Sequence, residues 1–111
     1  MKRAFGLLIV LAVLLIMAGC AMDKTYYWTT GGTTNGWCEE VTSSNSNIQN
    51  ALSLAGYTLG TCSSQGFSGH YCSYSYNAGA YNWEINEYWG SALQSTYDSS
   101  YCTSTYNGTY H

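Results

Sequence analysis

Branched aliphatic residues are scarce after residue 19, and this scarcity limits the folds that the chain can adopt. Residues 20–111 contain all twelve Tyr and all four Trp of the chain, but they contain neither Pro nor Arg. A small domain with few aliphatic residues needs further stabilisation, which aromatic burial and covalent cross-links can supply. The composition therefore predicts one small domain that depends on cystines. Its branched aliphatic residues are Val41, Ile48, Leu52, Leu54, Leu59, Ile85 and Leu93.

The N-terminus has the pattern of a secretory signal peptide. Lys2 and Arg3 precede an uncharged and mainly apolar run over residues 5–18. This run is shorter than the roughly 20 residues that a helix needs to span a bilayer. A basic start, a short apolar core and small residues at its end predict a cleaved signal over residues 1–19.

The end of this run, Ile16-Met17-Ala18-Gly19-Cys20, resembles the lipobox of bacterial lipoproteins. The resemblance covers residues 1–20 only, and Met17 stands where that family usually has Leu. It implies a diacylglyceryl group on Cys20, cleavage before Cys20 and acylation of the new amino terminus. Ala21, where an Asp would retain the protein at the inner membrane of enteric-type bacteria, implies the outer membrane. The alternative is an ordinary cleaved signal with an unmodified cysteine.

The charge balance excludes one class of partner. Residues 20–111 contain one Lys and six acidic residues. Nucleic-acid-binding domains carry a basic patch, so we expect no nucleic-acid partner. An anionic membrane surface would repel such a domain, so we expect the membrane to be reached through the lipid at Cys20.

The cysteines after Cys20 predict two disulfide bonds. Four cysteines in an exported chain pair in an oxidising compartment. Their spacings of 24, 10 and 30 residues are unlike those of zinc ligands, and we expect neither a metal nor a cofactor. We favour Cys38 with Cys62 and Cys72 with Cys102. The nested pairing, Cys62 with Cys72 and Cys38 with Cys102, stays open because the loop-closure entropies of the two schemes are nearly equal.

Turn residues and hydrophobic periodicity predict an α+β fold, a small antiparallel sheet with two helices stapled by two disulfides. Asn35-Gly36 predicts a hairpin turn. A capping box at Ser46 and Gln49 predicts the start of the first helix, and Gly56 its end. The predicted elements are strands over 26–30, 37–42, 71–76 and 101–110, and helices over 47–55 and 83–97.

The predicted organisation is a lipidated tether over residues 20–25 followed by a single domain over residues 26–111. A strand–helix–cysteine unit is a candidate repeat, with copies at 26–66 and 67–111. Its matching features are few, and chance similarity is the alternative.

The chain shows no pattern that predicts catalysis. Ser68 and His70 lack the G-x-S-x-G context, and two neighbouring residues do not make a triad. Glu84 and Glu87 are explained by a favourable position at the start of the second helix. On a strand, Glu39 and its neighbour Glu40 would point to opposite faces. We therefore do not expect an enzyme.

The surplus of aromatic residues predicts several exposed tyrosines and hence a binding surface. The expected function is a non-catalytic envelope lipoprotein, a binding or structural module whose partner is an envelope protein or a glycan. The alternative is a small periplasmic enzyme or enzyme inhibitor tethered by lipid. The residues expected on the binding surface are Tyr26, Trp28, Tyr74, Tyr76 and Tyr106.

Overall fold

A computed structural model describes residues 20–78 and 81–111 of the chain. The predicted signal peptide, residues 1–19, lies outside the described residues. The fold is the expected small α+β domain with an antiparallel sheet, two helices and two disulfides. Its elements are β1 (Cys20–Thr30), β2 (Trp37–Asn45), α1 (Ser46–Leu54), β3 (Thr58–Leu59), β4 (Tyr71–Ala78), β5 (Tyr81–Trp89), α2 (Ser99–Tyr106) and β6 (Thr109–Tyr110).

The six strands form one antiparallel sheet in the order β3-β1-β2-β5-β4-β6. This order is symmetrical about the central β2–β5 pair. Each half is a β-hairpin, then a helix, then a two-residue strand that pairs with the first strand of its own hairpin. The predicted repeat had one strand before each helix, whereas the structure has two.

Both helices pack on the same side of the sheet, which we call the helix face. The side chains of Val41 and Ile85 lie opposite each other on this face at the sheet centre. We call the other side the open face, because a loop rather than a helix covers part of it. Seven buried residues form the largest core cluster on the helix face: Tyr26, Val41, Ile48, Ala51, Leu52, Trp83 and Ile85.

The first helix starts one residue earlier than its predicted capping box implies. Asn45, not Ser46, is the N-cap, and its Oδ1 accepts hydrogen bonds from the N–H groups of Asn47 at 2.9 Å and Ile48 at 3.2 Å. Asn is among the most favourable N-cap residues. Gln49, the expected partner in the capping box, instead donates from Nε2 to the carbonyl oxygens of two residues outside the helix.

Gly56 ends this helix as predicted. Its φ of 94° is a conformation that costs glycine little. The N–H of Tyr57 then donates to the carbonyl of Leu52 at 2.9 Å, which is the backbone pattern of a Schellman motif.

The predicted helix over residues 83–97 is wrong. Residues 81–89 form β5, and a short 3-10 turn follows at Ser91–Leu93. Trp83, Ile85 and Trp89 are buried at spacings of two and four residues, and such spacings fit a strand as well as one face of a helix. These residues form a strand because they pair with β2 on one side and with β4 on the other.

The predicted last strand over 101–110 is also mostly wrong. Residues 99–106 are α2, and only Thr109 and Tyr110 form a strand. Asp98 caps this helix by accepting a hydrogen bond from the N–H of Tyr101 at 3.1 Å. The helix ends at Asn107, whose φ is 53°. Asn tolerates this left-handed conformation better than most residues.

The expected tether over residues 20–25 is part of β1. Lys24 lies opposite Ser43, and Cys20 lies opposite Asn45. The strand pairing therefore begins at the residue that the lipobox would modify.

The two disulfides join Cys38 to Cys62 and Cys72 to Cys102. This is the sequential pairing and not the nested one. The first bond lies on the open face and secures the loop after β3, together with buried Phe67. The second lies on the helix face and fixes α2 against β4. Each bond thus attaches to the sheet a segment that is not itself a strand of the sheet.

We predict that replacing both Cys72 and Cys102 with Ser lowers the free energy of unfolding by about 2–5 kcal/mol, as is usual for a small disulfide-stabilised domain. Chemical denaturation measures the change. Non-reducing peptide mapping of the variant should still show the Cys38–Cys62 disulfide. A disulfide from Cys38 or Cys62 to any other cysteine would contradict the described pairing.

Candidate functional site

The structure separates the five residues that were expected on a binding surface. Tyr26 is only 8% exposed and belongs to the core, so its assignment to a surface is wrong. Trp28, Tyr74 and Tyr106 are half-buried, and Tyr76 is 37% exposed. Among the described residues, Tyr76 is the one tyrosine in the exposed class. The expectation of several exposed tyrosines therefore fails.

Ring-to-ring packing on the helix face explains this burial. Tyr74 stacks on Tyr106 with ring centroids 4.6 Å apart, and Tyr76 stacks on the buried Trp83 at 4.3 Å. Aromatic pairs at such distances stabilise a fold beyond the area that they bury. The tyrosines thus occupy positions that aliphatic side chains fill in most small domains.

A second set of rings lies on the open face. Tyr71 on β4 stacks on Tyr88 of β5 and on His111 beside β6, in each case with centroids 4.7 Å apart. This distance matches the spacing of neighbouring strands, so the rings stand upright and face one another. These contacts help to hold β5, β4 and the C-terminal residues together.

A groove of about 440 Å³ lies beside β4, where the C-terminal end of α2 approaches the sheet. It brings together Tyr74 and Tyr106, two of the expected surface residues. Glu84 contributes a carboxylate to the wall of this groove. The prediction that Glu84 lies on a helix is wrong, because Glu84 belongs to β5. The other lining groups are mainly hydroxyls and amides, among them those of Ser73, Ser75 and Asn107.

A neighbouring groove of about 290 Å³ contains the exposed Tyr76. Asp23 and Glu84 both line it, and no Lys or Arg lines either groove. The two grooves are therefore polar and acidic, and residues of β4 line both of them.

Two carboxylates meet in the centre of the helix face. Glu39 on β2 lies directly opposite Glu87 on β5, and the two residues are 1% and 0% exposed. The hydroxyl of Tyr57 donates a hydrogen bond to Oε1 of Glu39, and that of Tyr74 donates to Oε2 of Glu87 at 3.0 Å. Side chains directly opposite in a sheet are about 5 Å apart, where two buried negative charges repel strongly. Loss of either negative charge would remove this repulsion.

This acid pair was not predicted. The predicted helix over residues 83–97 includes Glu87, whereas Glu87 lies on β5. Glu39 and Glu40 point to opposite faces of β2, as predicted. The sequence shows that acidic and apolar residues alternate in the segments that form β2 and β5. It does not show the register in which the two strands pair.

Burial raises the pKa of Tyr57 far above its ordinary value, and the negative charge of Glu39 and the hydrogen bond to Glu39 raise it further. Tyr57 therefore remains a hydrogen-bond donor to the acid pair throughout the physiological pH range.

Glu40 has a structural role on the open face. Its Oε2 accepts a hydrogen bond from the N–H of Cys62 at 2.6 Å, and its Oε1 accepts one from Nδ2 of Asn86 at 3.1 Å. These bonds hold the loop that the first disulfide also holds. Burial, followed by the nearby charge of Glu40, raises the pKa of Tyr88 to about 12.

Ser68 and His70 are exposed loop residues, as expected. The His70 ring stacks on Tyr110 at 5.1 Å, and its Nδ1 lies 3.0 Å from the carbonyl oxygen of His111. These contacts hold the C-terminal residues against the sheet and do not resemble a nucleophile–base pair.

Within residues 20–78 and 81–111, no group of three or more His, Cys, Asp or Glu side chains is arranged to hold a metal ion. No helix in the described part of the chain is long and apolar enough to cross a membrane. Comparison with known proteins finds no matching family model, no matching curated protein and no matching solved structure.

We predict that Glu39→Gln raises the free energy of unfolding at pH 7 by about 1 kcal/mol. The amide keeps the oxygen that Tyr57 contacts, removes one negative charge and adds an N–H that can donate to Glu87. Thermal or chemical denaturation measures the effect. Glu84→Gln, on the exposed surface, is the matched control and should change stability by less than about 0.5 kcal/mol. A loss of stability in Glu39→Gln as large as that in Glu39→Ala would contradict a repulsion between the two carboxylates.

We also predict that Tyr88→Phe resists alkaline unfolding. A tyrosine whose pKa is raised in the folded state contributes stability below pH 10, and this contribution is lost as the pH rises through about 12. The variant keeps the ring but has no phenol to ionise, so its stability should fall less steeply between pH 10 and 12. Denaturant midpoints measured across this range test the prediction. Parallel curves for the two proteins would contradict it.

Proposed function

We propose that this chain is a lipid-anchored lipoprotein of the bacterial cell envelope and that its domain is a non-catalytic binding or structural module. The observation that carries the proposal is the lipobox-like run ending at Cys20, followed directly by a fold with two disulfides. Disulfides persist in oxidising compartments outside the cytoplasm, and a lipoprotein signal directs a chain to such a compartment.

The start of β1 supports a close approach to the membrane. Cys20 lies opposite Asn45, the residue that begins α1, and no free linker separates it from the sheet. The end of the β4–β5 hairpin, where Ala78 lies opposite Tyr81, is at the same end of the sheet. A lipid on Cys20 therefore places this end of the domain against the bilayer, and Ala21 favours the outer membrane.

The burial of the acid pair supports a non-catalytic role. Paired carboxylates that hydrolyse glycosides must lie on either side of a substrate. Glu39 and Glu87 are almost completely inaccessible and are engaged by tyrosine hydroxyls. The alternative of a tethered enzyme or inhibitor receives less support. The first groove holds Glu84 without a second carboxylate, and the second groove holds Asp23 and Glu84, but no histidine among the described residues lines either groove.

The two acidic grooves beside β4 support a binding role. They combine tyrosine rings with hydroxyl, amide and carboxylate groups, a composition suited to a polar partner. An envelope protein or a glycan is the proposed class of partner.

We predict that Cys20→Ser releases the protein into the soluble fraction or blocks its processing. Acyl chains hold a protein at a membrane because each buried CH₂ contributes about 0.8 kcal/mol. Membrane fractionation and the mass of the mature protein measure the outcome. Ala21→Ser, which keeps the thiol, is the matched control and should remain membrane-bound. A Cys20→Ser protein that is cleaved normally and stays on the membrane would contradict the lipoprotein proposal.

A further inference from the structure

Strand β4 has a partner along its whole length on one side only. It pairs with β5 from Tyr71 to Ala78, whereas β6 pairs only with Cys72 and Ser73. In the described part of the chain, no strand pairs with the outer edge of residues 74–78. This stretch is therefore an open sheet edge.

The register shows which backbone groups face this edge. Tyr71 and His111 exchange two backbone hydrogen bonds, at 3.2 and 2.9 Å, so the N–H and C=O groups of Tyr71 point outward. Outward and inward pairs alternate along an antiparallel strand. The backbone groups of Ser75 and Asn77 therefore point outward as well, beyond the end of β6.

One stretch of the β1 edge is protected, whereas residues 74–78 of β4 are not. Strand β3 also covers only two residues of β1, Tyr26 and Tyr27. On the N-terminal side of these, β1 carries Asp23 and Lys24 and an irregular register between Cys20 and Lys24, whereas residues 28–30 on the other side are uncharged. Charged residues and irregular pairing are common means by which proteins block the addition of strands. Strand β4 has no charged residue, no proline and no such irregularity.

The surroundings of the β4 edge are negatively charged. Glu84 is exposed, lies opposite Ser75 and lines both grooves, and Asp23 lines one of them. Ser75 is small, so a long basic side chain on an added strand could extend over it to reach Glu84. A second copy of this chain would offer an edge without positive charge, within a domain of the same negative net charge.

We propose that residues 74–78 of β4 bind an extended, positively charged segment of a partner protein, which adds to the sheet as a seventh strand. Backbone hydrogen bonds to Ser75 and Asn77 provide the pairing, and Lys or Arg side chains of the segment lie beside Glu84. This inference rests on the proposed role as a binding module and specifies the chemistry of its partner.

The test uses the detergent-solubilised full chain and two capped peptides of alternating residues, one of Lys and Thr and one of Glu and Thr. Isothermal titration should detect the Lys peptide and not the Glu peptide. Amide exchange followed by NMR should show protection of Ser75 and Asn77 when the Lys peptide binds. Equal binding of both peptides, or no protection at either amide, would overturn the proposal.

Two variants test the pairing and the charge separately. Asn77→Pro removes one outward N–H and should weaken binding at least tenfold, whereas Asn77→Ala keeps this N–H and should bind within twofold of the original chain. Glu84→Gln should weaken binding of the Lys peptide about three- to tenfold. Melting temperatures show whether each variant is folded. If Asn77→Pro is folded and binds normally, the strand-addition proposal fails.

Two further outcomes would identify a different occupant of the edge. If the free chain sediments as a dimer and the Asn77→Pro variant as a monomer, the partner at this edge is a second copy of the chain and not a basic segment. Protection of the same amides by a glycan but not by the peptide would also overturn the proposal. None of these results alters the membrane fractionation of Cys20→Ser, so the lipoprotein proposal and the strand-addition proposal can fail independently.

Discussion

The pairing of β2 with β5 is the interaction on which the rest of the structure depends. Six residue pairs, from Trp37 opposite Trp89 to Thr42 opposite Glu84, join the two hairpin–helix–strand halves into one sheet. The same register places Val41 against Ile85 in the core and sets Glu39 against Glu87. The apolar centre and the buried acid pair are therefore consequences of a single strand pairing.

Aromatic rings take the place of aliphatic side chains in this domain, and this has a functional consequence. Rings stacked on neighbouring strands or between strand and helix bury most of their faces, as Tyr74 does against Tyr106. Abundance of tyrosine is thus weak evidence for a binding surface in a chain that has few other large apolar residues. The two disulfides also compensate for the scarcity of aliphatic side chains, because each fixes a segment on a different face of the sheet.

The near-symmetry of the two halves makes their differences informative. Both hairpins leave part of an outer strand uncovered, but the uncovered stretch of β1 next to Cys20 is charged and irregular. The uncovered part of β4 is neutral and regular, and residues of β4 line two acidic grooves. The stretch of β1 next to the proposed anchor is therefore protected from strand addition, whereas the edge of β4 is the one that we propose for it.

Local chemistry was enough to predict much of this chain, and it failed where pairing between distant residues decides the structure. The hairpin around Asn35-Gly36, the first helix and its end at Gly56, strand β4 and the α+β class follow from interactions between near neighbours in the sequence. The same is true of the lipobox-like motif at Cys20, which needs no fold. Residues 83–89 suit a helix and a strand equally well in isolation, and only the strands on both sides make them β5. Exposure and charge environment likewise depend on the assembled sheet. The sequence by itself determined which groups the protein has and the local turns between them, whereas the tertiary structure decided that Tyr26 is core, that Glu39 meets Glu87 and that one edge of β4 remains open.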